Sequence, residues 1–106
     1  MANSVVSPLH LYLDPRVRFF PGEIVVTAGV VHLIQLRQLE SSRYLRRHLS
    51  GDWGDLDEND RQLNDAALAS GEDRLFSSYQ VDRDLTLWII TEWDRSVTTL
   101  LLPSEY

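Results

Sequence analysis

The apolar positions of this chain change their spacing along its length, and the changes divide it into regions. Residues 1–16 have no period, and Pro8 and Pro15 interrupt any regular element, so this stretch reads as an arm or edge segment. VRFFPGEIVVT follows, with Phe19 and Phe20, a Pro-Gly turn at 21–22 and a β-branched run from Ile24 to Thr27 that predicts a strand. The spacing then becomes helical. In AGVVHLIQLRQL, Val30, Val31, Leu33 and Ile34 form a broad apolar face, with Thr27 placed to cap it. Ser41 or Ser42 can cap the next helix, SRYLRRHLSG, which Gly51 stops.

On a helical wheel of this second helix, Tyr44, Leu45, His48 and Leu49 share one side and Arg43, Arg46 and Arg47 the other. A third helix is predicted from near Asp55 or Asp57 to Ser70, before Gly71. Its expected contact stripe is Leu63, Ala66, Ala67 and Ser70, with Glu58, Arg61 and Asp65 facing away.

From residue 74 the period becomes two. RLFSSYQV alternates, and a turn at Asp82–Asp84 leads into LTLWIITEW, a run apolar on both faces that predicts a central strand. A second turn at Asp94–Ser96 leads into VTTLLLP, a candidate exposed edge that would invite dimerisation unless the N-terminal arm covers it. The expected fold class is α+β: about three helices packed with an antiparallel sheet of three to four strands, a C-terminal meander plus one N-terminal strand.

The length of 106 residues supports one domain with one core, and no repeat or linker suggests a second. A hydrophobic share of 43% is that of a folded globule. There is no cysteine, which excludes disulfides and thiolate metal sites. Without a basic leader or an apolar run of about 20 residues, the expectation is a soluble, cytoplasmic protein.

Charge alters the picture more than composition does. The net charge of −6 argues against non-specific binding to DNA or to an anionic membrane and favours cationic partners. Eight of the sixteen acids lie in residues 52–73: Asp52, Asp55, Asp57, Glu58, Asp60, Asp65, Glu72 and Asp73. The segment before them has the opposite sign, with Arg37, Arg43, Arg46 and Arg47 against Glu40.

Catalysis and metal binding find little support. An EF-hand loop needs Gly at its sixth position and Glu at its twelfth, and neither arrives when counting starts at Asp52 or Asp55. The three histidines, His10, His32 and His48, are scattered, and His32 and His48 read as hydrogen-bonding residues within apolar helix faces. No nucleophile motif, phosphate loop or HExxH occurs; neither a catalytic residue nor a cofactor is assigned. Glu92, Asp94 and Arg95 at a strand end read as a hairpin salt bridge, or, with His48, as the elements of a small enzyme.

Local structure accounts for part of the acidic run. Gly51 and Gly54 permit left-handed turns, Trp53 pins the loop to the core, Asp55 or Asp57 caps the third helix, and first-turn acids oppose its dipole. It does not require Asp65, Glu72 and Asp73. Glu58 and Asp65 lie about 10.5 Å apart along a helix, close to the roughly 10.2 Å of three phosphate steps on a DNA strand.

GDWGD at 51–55, DENDRQLNDAALASG, RLFSSY and above all LWIITEWDRSVTTLLLPSEY at 87–106 resemble a family of small proteins carried by plasmids and integrative elements of proteobacteria. The likeness runs from about Phe19 to the C-terminus; the N-terminal arm is longer here and the second helix richer in Arg. The resemblance implies a mobile genetic element and carries over no catalytic residues. It further suggests similarity to an anti-CRISPR protein acting on a type I, type I-C, surveillance complex (Cascade). The expected partner is a subunit with a basic DNA-binding groove, with no direct nucleic-acid or membrane binding by this chain, which is expected to be a monomer. The acids at 52–73 would supply the contact as a DNA mimic, with Trp53 as its anchor if partly exposed. The alternative is a mobile-element adaptor with a non-CRISPR partner, contacted through Arg43, Arg46 and Arg47.

Overall fold

The computed structural model describes residues 14–106. The elements run β1 (Glu23–Val26), α1 (Ala28–Gln35), α2 (Ser41–Leu49), α3 (Glu58–Ser70), β2 (Leu75–Asp82), β3 (Leu85–Thr91), β4 (Val97–Leu101) and a 3-10 turn at Pro103–Glu105. The strands form one sheet in the order β1-β4-β3-β2, giving the expected α+β fold. β2, β3 and β4 are the antiparallel meander, and β1 joins β4 in parallel, with Glu23 opposite Val97 and Val26 opposite Leu100. The strand VTTLLLP therefore has a neighbour on each side and is not an edge. β1 and β2 are the edges. His10 and the first 13 residues of the expected N-terminal arm lie outside the described residues.

Alternation along the strands sorts side chains between the two faces. Leu75, Ser77 and Tyr79 of β2 and Leu87, Ile89 and Thr91 of β3 are buried on the helical face. Val30 of α1 and Tyr44, Leu45 and Leu49 of α2 join Val26, Tyr79, Leu87, Ile89 and Leu100 in one core. Trp53, Ala67 and Leu75 form a smaller core under α3, with Leu56, Leu68 and Phe19 packed on it. On the opposite face Phe76 meets Trp88 edge-on at 5.1 Å, and Tyr106 meets Trp88 at 5.8 Å.

Three helix boundaries are set differently from the sequence reading. α1 ends at Gln35, four residues before Leu39, because Arg37 takes a left-handed conformation with φ of 60°. Thr27 precedes α1 but makes no side-chain cap; its hydroxyl donates to Glu105 Oε1, and Glu105 Oε2 accepts from Gly29 N at 2.9 Å. The cap is thus a carboxylate from the other end of the chain. Neither Ser41 nor Ser42 caps α2, since Ser41 is already its first residue and Glu40 precedes it. α3 follows expectation: Asp57 Oδ1 accepts from Asp60 N at 2.9 Å, and Gly71 closes the helix at φ of 73°.

His48 is fully buried at the centre of a chain of hydroxyl groups. Thr98 Oγ donates to the carbonyl of Pro21 (2.7 Å), so its oxygen must accept from the Thr91 hydroxyl (2.7 Å). Thr91 has then used its proton and accepts from His48 Nε2–H (2.9 Å), leaving Nδ1 to accept from Ser77 (2.6 Å). The bonding order fixes a neutral Nε2–H imidazole. Burial, with a smaller contribution from the Arg95 charge, pushes its pKa down to about 3.

Candidate functional site

Residues 52–73 wrap the outer edge of β2, and each early carboxylate has a local task there. Asp52 pairs with Arg47 (Oδ2 to Nε, 2.7 Å) and accepts from Gly54 N at 3.1 Å. The Arg47 hydrogen bond holds the Asp52 carboxyl below its usual range. Gly54 has φ of 80°, and a Cβ there would lie 2.1 Å from the Ser78 carbonyl oxygen, so only glycine permits this approach. The approach makes a short parallel bridge: Asp55 N donates to Ser78 O at 2.7 Å, and Ser78 N donates to Trp53 O at 3.2 Å.

The remaining polar groups on that edge are met by side chains. Asp55 Oδ2 accepts from Gln80 N at 2.6 Å. Asn64 from α3 presents its amide to Phe76 as a strand would, donating to Phe76 O at 2.7 Å and accepting from Phe76 N at 3.0 Å. An edge strand that would otherwise offer these groups to another chain is closed from within.

Asn64 also corrects the predicted stripe on α3. Its buried residues are Asn64 and Ala67, while Leu63 and Ala66 are exposed. An amide in mid-helix reads as a solvent residue in a hydropathy pattern; here it is buried because its two hydrogen bonds meet the cost of removing it from water. Asp65 does not simply face away, because its Oδ1 accepts from Trp53 Nε1 at 2.8 Å.

Trp53 is 4% exposed, stacks edge-on against His48 at 5.7 Å and cannot serve as the anchor of an interface. It pins the loop, as the local reading expected. An exposed apolar side chain lies elsewhere on the segment, on α3. A groove of about 650 Å³ lies between α3 and β2, lined by Leu56, Asp60, Leu63, Asn64, Asp73, Arg74 and Phe76. Leu63 is 63% exposed there. Leu63, Phe76 and Arg74 were missed because each has an ordinary place in its element, as stripe, alternating strand position and strand flank.

All eight carboxylates of the segment are exposed. Asp52, Asp55, Asp57 and Asp65 bond within the protein through their side chains. Glu58 accepts from Gln62 at 3.3 Å along α3, and Asp60 and Asp73 face the groove. Glu72 follows Gly71 in the loop leaving α3, its N–H donating to Ser70 Oγ.

The enzyme-like set does not assemble. His48 is sealed in the core, whereas Glu92 and Asp94 are exposed on the β3–β4 turn. Asp94 accepts from Ser96 Oγ (2.6 Å) and Ser96 N (3.0 Å), bonds that lower its pKa. Instead of a hairpin salt bridge, Arg95 donates to backbone carbonyls: Ala67 O at 2.9 Å, and those of Asp73, Glu92 and Trp93. It thereby caps the C-terminal end of α3 with a cation. Among the described residues no group of three His, Cys, Asp or Glu side chains could hold a metal ion, and no helix is long and apolar enough to cross a membrane.

Compared with protein-family models, with curated proteins and with solved structures, the chain matches none.

Proposed function

We propose that the protein is a non-catalytic inhibitor that docks on a basic, nucleic-acid-binding surface of another protein and competes with nucleic acid for it. The observation that carries this reading is the exposure of all eight carboxylates between Asp52 and Asp73, two of which, Asp60 and Asp73, line a groove beside Leu56, Leu63 and Phe76. The same segment contains a single base, Arg61, so the rest of the chain holds nine arginines against eight acids. The net negative charge therefore comes from one segment. Leu63, Leu56 and Phe76 supply the desolvated centre that a stable interface needs, and Asp60 and Asp73 its charged rim. The partner suggested by the family resemblance is a type I surveillance complex, whose basic DNA groove complements this face.

The test is a gel-shift competition in which the purified protein is titrated into a type I-C complex with labelled target DNA at two salt concentrations, with a type I-F complex as control. Loss of DNA binding that weakens as salt rises is expected. Asp60→Arg with Asp73→Arg should abolish inhibition without unfolding, since neither side chain makes a hydrogen bond among the described residues. Leu63→Ala should weaken inhibition about tenfold, as for a partly buried anchor. Unchanged DNA binding in both complexes would overturn the CRISPR assignment, and a capture experiment returning another basic protein would redirect the same face to it.

A further inference from the structure

A second site of opposite sign lies on α2, joined to the acidic segment through the Arg47–Asp52 pair. Arg43, Arg46 and Arg47 stand at i, i+3 and i+4, so their side chains leave the helix on one side. The segment before β1 brings a fourth guanidinium to them. Arg18 N donates to Leu49 O at 2.8 Å, which fixes that segment against the end of α2 and leaves Arg16 beside the row. Together Arg16, Arg43, Arg46 and Arg47, with Glu40 and Ser50, line a pocket of about 350 Å³.

The arginines are not equally satisfied. Arg16 pairs with Asp14 at 2.8 Å, and Arg47 with Asp52 at 2.7 Å. Arg47 also lies over the Tyr79 ring at 4.7 Å, which holds its side chain in place. Among the described residues Arg43 has only the face of Tyr44, 5.8 Å away. The Nε of Arg46 is shut off from solvent and has no hydrogen-bond partner among the described residues. Such a donor is costly to leave unmet. The helix dipole accounts for cations at the C-terminal turn, where Arg46 and Arg47 sit, but not for Arg43 or Arg16.

We propose that this pocket binds a compact phosphate group, free or as the phosphate of a small ester. Guanidinium forks match phosphate oxygens in pairs, and a phosphate oxygen would supply the missing acceptor of Arg46 Nε once that side chain turns its closed-off edge toward the pocket. The pocket has the volume of a small-ligand site. A long polyanion is disfavoured, because the net charge is −6 and Asp52, bonded to Arg47, begins the acidic segment. Glu40 is the one carboxylate on the lining; with Asp14 on Arg16 and Asp52 on Arg47, four guanidinium groups face three carboxylates, and the balance stays positive.

The test follows backbone and arginine Nε–H resonances of the full chain by NMR while potassium phosphate, and separately a nucleoside monophosphate, is added at ionic strength held constant with chloride. Saturable shifts of Arg16, Arg43, Arg46 and Arg47, largest at Arg46 Nε–H and absent with chloride alone, are expected. Tighter binding of the monophosphate would identify an ester ligand, and equal binding the free anion. Arg43→Gln and Arg46→Gln should each weaken binding about tenfold, while Asp60→Arg with Asp73→Arg should leave the Arg46 shift in place. Linear, non-saturating shifts, or shifts that survive the Arg43→Gln, Arg46→Gln double substitution in a folded protein, would overturn the proposal.

Discussion

His48 shows how a single buried side chain constrains behaviour in solution. Its imidazole is neutral in the fold, with a pKa pushed down to about 3, whereas in the unfolded chain it takes up a proton near pH 6.5. Between those values the unfolded state binds more protons, so stability falls as pH falls, by about 1.4 kcal/mol per pH unit. Above pH 6.5 the group contributes no pH dependence. Asp52, Asp94 and Glu105, with lowered pKa values, add their losses only in the carboxylate range. Urea unfolding between pH 7 and pH 5 therefore reads the loss from His48 apart from those of these three carboxylates. His48→Gln, which keeps one donor and one acceptor, should flatten that slope.

Gly54 is the second residue whose role is set by geometry. Gly54→Ala would add a left-handed strain and a clash with the Ser78 carbonyl, so a loss of about 3 kcal/mol or more in urea denaturation is expected.

At the scale of elements, edges and ends are completed by side chains remote in sequence. β2 gains its outer partners from Asp55, Trp53 and Asn64 rather than from another strand. Asn64→Ala leaves the N–H and C=O of Phe76 without their partners and should cost about 2 kcal/mol. The exposed edge should also raise aggregation, measurable by light scattering. α1 depends on Glu105, which accepts from Thr27, Gly29 and Leu102 at once. Burial alone would raise the pKa of that carboxyl; these bonds hold it below its usual range instead. Glu105→Ala should cost about 1 kcal/mol, the usual size of a lost helix cap, and expose the amides of the first turn of α1 to hydrogen exchange.

For the whole molecule, the distribution of charge matters more than its total. The α3 face collects carboxylates that repel one another, and α2 with the neighbouring Arg16 collects four arginines, two of which, Arg16 and Arg47, have carboxylate partners. Added salt screens the repulsion, so the Tm should rise with sodium chloride. Neutralising Glu58, Asp60 and Asp73 to Gln or Asn should remove most of that rise, because among the described residues the 3.3 Å Glu58–Gln62 bond is the only side-chain hydrogen bond the three carboxylates make.

The periodicity of the chain by itself determined the α+β class, the three helices, the meander and the buried side of α2, because those depend on local spacing of apolar residues. Tyr44, Leu45, His48 and Leu49 are buried as their wheel requires. Local capping chemistry likewise placed the start of α3 at Asp55 or Asp57, of which the fold uses Asp57, and its end at Gly71. The acidic run was legible as a charged surface, since exposed acids need no partner. Only the tertiary structure decided what each acid does, and that Leu63 and Phe76 rather than Trp53 line its groove. Those outcomes depend on which distant groups are left without hydrogen bonds once the sheet has formed, as Asn64 on Phe76, Glu105 on α1 and Arg95 on α3 show. No spacing within a segment encodes such a pairing, because the free energy that selects it belongs to a buried polar group whose partner lies elsewhere in the chain.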